Sequence, residues 1–204
     1  MAIQVVEIAD LRPTQMSVGY ALVKFKRAGL ESLRGRPSEL VNFILEHPIR
    51  AVLGPKKRVY VIDHHHLGLA LEREKFLSAP VDVSDDFSAH SMADFWGIMA
   101  KRGFMMLTDA EGQRHPVSSL PKRLGDLADD PYRSLAGFVR LKGGFLKTQQ
   151  PYMEFQWADY FRPLILEKDI SRNMDAAIKK AMALVHLPAA AHLPGYIPPP
   201  AGTR

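Results

Sequence analysis

The 204-residue sequence contains no cysteine. That absence removes disulfides, thiolate nucleophiles and thiolate zinc sites together, so any metal would have to rest on His, Asp and Glu. No uninterrupted apolar run of about 18 residues is present to form a membrane span. The opening MAIQVVEIADLRP also lacks the basic start and long apolar stretch of a secretory signal. These features predict a soluble, cytoplasmic chain. Concentrated charge is scarce too. The 27 Lys and Arg give a net charge of +5 and a pI near 9.5, yet only Lys56-Lys57-Arg58 and the stretch from Arg114 to Arg123 are mildly dense. Neither a continuous basic face nor a helix-turn-helix is identifiable, and dispersed cations read as solvated surface or single phosphate contacts. What remains is ordinary for a globule, with 47% hydrophobic and 24% charged residues and no internal repeat.

Periodicity predicts a compact α/β unit over residues 1–88. Ile3 to Ile8 alternates as a strand, and Gln15 to Leu33 carries apolar residues at helical spacing. Ser38 caps a short helix from Glu39 to His47, and Ala51 to Leu53 and Val59 to Ile62 read as strands joined by Gly54-Pro55-Lys56-Lys57. A helix over 64–76 and a strand from Pro80 to Val83 close the unit. Residues 89–187 read as a mostly helical part packed on it, with helices at Met92 to Lys101, 131–142, 151–167 and 172–186 and a short hairpin near Met105 and His115. The last stretch, 188–204, is proline-rich and reads as an extended tail.

The chemistry concentrates in VYVIDHHHLGLALEREKF, residues 59–76, where a β-branched strand gives way to a helix. A strand-to-helix junction offers N–H groups to an anion, and ligands of α/β sheets often sit beyond the carboxyl ends of strands. Asp63 is the candidate base or metal ligand, and His65 and His66 are candidate donors to phosphate oxygens. Consecutive histidines point in different directions, so the three cannot all hold one ion. A plain structural role, with one ring capping the helix, one solvated and one packed, is the alternative. Thr14 and Gln15, after the first strand, are candidate polar contacts, and Thr14 also suits an N-cap of the following helix. Farther along, Tyr152, Met153, Phe155 and Tyr160 suit a core helix face, and Gly143 suits a helix stop.

The strand followed by Asp-His-His locally resembles the DHH phosphoesterases, but no upstream Asp-x-Asp pair completes their two-metal site. A fuller resemblance is to the ParB and sulfiredoxin superfamily, in which a strand ends in a motif close to I-D-G-H-H-R before an amphipathic helix. Here VIDHHHLGLAL stands in that place, preceded by LRPT and SELVNFILEHPI. Within the superfamily RPTQMSVG, VKFK, YRSLAGFVRLKGGFLKT and PYMEFQWADYFRP are similar to the ParB-like nuclease family, over about residues 3–186. The resemblance implies a ParB/sulfiredoxin-like α/β domain with a helical C-terminal part. It implies phosphate chemistry at Asp63, His65 and His66 with Mg2+ or Mn2+, and ATP, CTP or DNA as ligand. The activity it implies is phosphodiester hydrolysis or phosphoryl transfer, with a non-catalytic nucleotide- or DNA-binding module as the alternative. Two positions depart from the pattern: His64 replaces the usual Gly and Leu67 the usual Arg. Phosphate binding at His64, Arg12, Thr14, Gln15 and Lys24 is then expected, with Arg12, Lys24 or a C-terminal basic residue standing in for the lost guanidinium.

Overall fold

The computed structural model describes residues 2–199 and forms two compact units, Met1–Asp129 and Asp130–Arg204. The first unit runs β1 (Ala2–Glu7), β2 (Leu11–Pro13), β3 (Ser17–Val18), α1 (Tyr20–Ser32), α2 (Pro37–Glu46), β4 (Ile49–Gly54), β5 (Arg58–Asp63), α3 (His65–Arg73), β6 (Ser78–Asp86), α4 (Met92–Lys101) and β7 (Ala128–Asp129). Five strands make one mixed sheet in the order β1-β6-β4-β5-β2. β1 and β5 run antiparallel to β6 and β4, whereas β4–β6 and β2–β5 are parallel pairs. β3 and β7 form a separate short parallel pair.

Alternation along the strands gives the sheet two apolar faces. Leu11, Ala51, Val59, Val61 and Val81 pack with α1 and α3 through Val23, Leu30, Leu67, Leu69 and Leu71. Val52 and Tyr60 point the other way and meet Phe87, Phe95 and Met99, the last two from α4. α4 therefore belongs to the first unit, and the boundary lies at 129/130, well beyond the change of texture at 88. Strands had thinned out there in the sequence, but the sheet still needed a cover for its second face.

The expected helix from Gln15 starts only at Tyr20, because residues 11–18 are spent on two short strands that carry too few residues to show a period. The hairpin expected near 105–115 is present as a short one, bridged between Thr108 and Arg114, with His115 N–H donating to Leu107 O and Asp109 N–H to Gln113 O (each 2.9 Å).

The second unit is helical: α5 (Pro131–Leu141), α6 (Met153–Phe161), α7 (Glu167–Arg172) and α8 (Met174–Leu184). Asp130 caps α5 by accepting from the Tyr132 and Arg133 amides, and Gly143, at φ +80°, ends the helix as a left-handed residue. The core centres on Trp157, stacked on Phe145 with centroids 4.3 Å apart. Residues 188–199 are not an extended arm. Ala190 and Leu193 join the core, Trp157 Nε1–H donates to Pro194 O (2.8 Å) and Leu146 N–H to Gly195 O (2.8 Å). A Cβ at Gly195, whose φ is positive, would collide with the Leu146 carbonyl. Composition missed this because docking uses backbone carbonyls and isolated apolar residues instead of a periodic face. Residues 200–204 of the expected tail lie outside the described residues.

Candidate functional site

β5 carries Val61 into the core and ends at Asp63, which is exposed. The chain then turns at His64 with φ 67° and ψ 23°, a left-handed conformation that glycine adopts freely and other residues rarely. The turn is held by two hydrogen bonds: His64 N–H donates to Asp63 Oδ1 (2.7 Å), and His64 Nδ1–H donates to Pro48 O (2.8 Å). Asp63 Oδ2 has no partner among the described residues.

The next two histidines fasten α3 to the segment between β2 and α1. His65 is 3% exposed, and its Nε2 accepts from the Thr14 amide (3.2 Å) while the Thr14 hydroxyl donates to Val61 O (2.6 Å). His66 is half-buried and its Nε2 accepts from the Gly19 amide (3.0 Å). One full side of each ring is thus committed to backbone, which places the proton of the neutral ring on Nδ1. Thr14 is not the cap of α1; that position is Gly19, and the Tyr20 amide donates to Asp129 Oδ1 (2.6 Å). The chain's own carboxylate sits where an anion would meet the α1 terminus. At the other end of α3, Glu74 accepts from Arg27 (2.7 Å) and Arg34 (2.6 Å), and these bonds hold its carboxyl below the ordinary range.

The remaining expected residues scatter. Gln15 is buried and donates through Nε2 to Ser17 O (2.7 Å). Lys24 is exposed on α1, one turn beyond Tyr20. Leu67, where the family pattern has Arg, is buried in the main core. Arg12 pairs in register with Tyr60 on the parallel neighbour, so its side chain shares the second sheet face and does not turn toward the histidines. Among the described residues no group of three or more His, Asp or Glu is gathered to hold a metal ion.

On that second face lies a cavity of about 390 Å³. Arg12, Arg58 and Lys122 stand around it, with Tyr60, Trp96 and Leu120 among its walls. Arg58 and Lys122 come from the two mildly dense basic stretches of the sequence, which were the available signal; Tyr60 and Trp96 gave none, since each also serves the core.

The chain matches the family described as "Putative ParB-like nuclease" over residues 4–163. It is similar to the crystal structure of protein Atu1540 from Agrobacterium tumefaciens, with 37% identity, a TM-score of 0.88, and coverage of 98% of this chain and 100% of that one. No curated protein matches. No helix of the described residues is long and apolar enough to cross a membrane. The mixed α/β fold, its helical C-terminal part and the match over most of the chain agree, and the chain belongs to the ParB-like nuclease family.

Proposed function

We propose that the protein handles a phosphorylated ligand, a nucleotide or a phosphodiester, at the end of β5, with Asp63 as the reacting carboxylate. The observation that carries this reading is the exposed Asp63, with one unpartnered oxygen, at the carboxyl end of the parallel β2–β5 pair and beside the start of α3. A carboxylate there can orient or deprotonate a nucleophile, which is most of what phosphoryl transfer asks of a protein. His65 and His66 are positioning residues in this scheme, because their Nε2 atoms already accept from backbone amides. A Mg2+ or Mn2+ ion accompanying the ligand would rest on Asp63 and the ligand's own phosphates. Thr14 and Gln15 support the segment; Lys24 is the cation of the sequence set left to meet a phosphate on this side.

The committed histidines also favour a second reading, a binding module that holds a nucleotide or DNA without turning it over. Calorimetric titration with ATP, CTP and a short DNA duplex, each with magnesium or manganese, together with an assay for hydrolysis, tests both. Asp63→Asn keeps the acceptor for the His64 amide, so the expected outcome is an intact fold with turnover reduced by at least about 10²-fold. Binding without turnover by the wild type selects the module. Absence of binding to all three ligands removes the proposal.

A further inference from the structure

The cavity beside Arg12 lies on the opposite sheet face from α3 and the histidines, and its charges are arranged unlike those around it. Lys57 pairs with Asp86 (3.0 Å), Arg123 with Asp126 (3.5 Å) and Arg102 with Asp85 (2.7 Å). Their sequence neighbours Arg58 and Lys122, and Arg12 with them, make no ion pair among the described residues. No carboxylate contributes to the lining. The Arg12 guanidinium is moreover aimed: its Nη1–H donates to Lys122 O (3.0 Å), tying edge strand β2 to the segment that closes the cavity. Three uncompensated cations converging on one concavity raise the local potential for an anion.

The walls ask for something besides an anion. Tyr60 is packed edge-on against Trp96 (centroids 5.3 Å apart) and tilted on Phe95 (4.7 Å), so the aromatic floor is rigid. Trp96 is half-exposed, whereas Phe95 behind it is fully buried. Leu120 and Pro121 extend the apolar side. A volume of 390 Å³ falls within the range of roughly 300–1,000 Å³ that encloses small organic ligands. A bare phosphate would use the cations and leave the aromatic wall unmatched.

We infer that this cavity is a second ligand site that takes a nucleotide unit, its base against Trp96 and Tyr60 and its phosphate among Arg12, Arg58 and Lys122. The unit is either a free mononucleotide or one residue of a single strand; the chemistry is the same, since every base has a face to stack and every phosphate a charge to neutralise. The site stands independently of any role for Asp63.

Tryptophan fluorescence reads it directly, because Trp157 is fully buried in the other unit and Trp96 faces the cavity. The full chain is titrated at low salt, without divalent ions, with AMP, with a short single-stranded oligonucleotide and with inorganic phosphate. Expected are a saturable change with AMP or the oligonucleotide and its loss in Trp96→Phe. Arg58→Gln and Lys122→Gln, exposed positions that leave the core alone, should each weaken binding about tenfold, the scale of one charge-assisted phosphate contact. Asp63→Asn should bind as the wild type does, so failure here and failure at the β5 terminus are separable. Tighter binding of the oligonucleotide than of AMP identifies a strand as the ligand; comparable binding identifies a free nucleotide. No saturable change with either probe overturns the inference, as does an unchanged affinity in both Gln variants, or inorganic phosphate binding as tightly as AMP.

Discussion

The two units solve the same problem, polar groups inside an apolar core, by different means. At the β5–α3 junction neutral imidazoles accept from the backbone amides of Thr14 and Gly19. In the helical unit formal charges meet charges or rings: Arg162 pairs with Asp130 (3.1 Å) and Arg140 with Glu154 (3.0 Å), and the buried Arg133 lies 4.0 Å over the Phe155 ring. The difference matters for reading function. Residue types that look catalytic in sequence, such as consecutive histidines or the Glu, Asp and Arg of PYMEFQWADYFRP, are largely engaged in holding their own units. Around the cavity on the second sheet face, by contrast, Arg12, Arg58 and Lys122 make no ion pair among the described residues.

The comparison is broken most strongly by removing one member of a buried pair. Asp130 is fully buried, and burial raises its carboxyl above the ordinary value of 3.8 while Arg162 opposes the rise. Arg162→Met leaves that carboxylate uncompensated and should cost about 3–5 kcal/mol at neutral pH. The pH dependence has a definite sign. A group with a raised folded pKa gives its full contribution below the unfolded value and loses it as pH rises through the folded one. The penalty in Arg162→Met should therefore shrink toward pH 4 and grow above it, as measured by urea unfolding across that range. A penalty independent of pH would mean that Asp130 is not the group left exposed to the change.

At the junction the corresponding change is His65→Ala. It strands the buried Thr14 amide and empties the volume of the ring, a loss of about 2–4 kcal/mol. Asp63→Asn, a few ångströms of chain away but exposed, should stay within about 0.5 kcal/mol of the wild type. Thermal melts of the two variants separate a latch from a reacting group. Equal effects would erase the distinction between Asp63 and its neighbours.

Much of this was legible in the sequence and some was not, for physical reasons. The strands expected at 51–53 and 59–62, the helix following Asp63 and the helix at Met92 to Lys101 follow from period. The motif's location at a strand end was equally plain. What single-sequence reading could not supply was the partner of each ring nitrogen, because Thr14 and Gly19 lie 51 and 47 positions from the histidines they meet. Nor could it place Arg12, whose direction depends on a three-residue parallel pairing with β5. Residues 151–167, expected as one helix, hold α6 with α7 following separately, since Pro163 interrupts the ladder between them.

The docked end of the chain sharpens the contrast at lower energy. Ending the chain at His192 removes Leu193 from the core together with the acceptors for Trp157 Nε1–H and the Leu146 amide. Those two hydrogen bonds and one largely buried leucine alone come to about 2–3 kcal/mol, and the bonds that join His186 to Tyr196 and Ile197 are lost with them. The loss should show as a lower melting temperature in the helical unit, followed through Trp157 in a Trp96→Phe background. An unchanged transition would return these residues to the extended arm that their composition predicts.

The smallest effect concerns the residue that departs from the family pattern at the turn itself. His64 combines a cost and a gain: a left-handed backbone at φ 67°, and a hydrogen bond from Nδ1–H to Pro48 O. His64→Ala and His64→Gly both lose the ring bond, but only glycine relieves the backbone, so the glycine variant should be the more stable of the two by about 1 kcal/mol. Against the wild type, the glycine variant should come out close to neutral, because a single net hydrogen bond contributes about 0.5–1.5 kcal/mol and the relief offsets it. Chemical denaturation of the three proteins under one condition gives both differences. If alanine proves as stable as glycine, the turn relaxes out of the left-handed region without its histidine, and the imidazole–Pro48 bond is then what sets the direction in which Asp63 is presented.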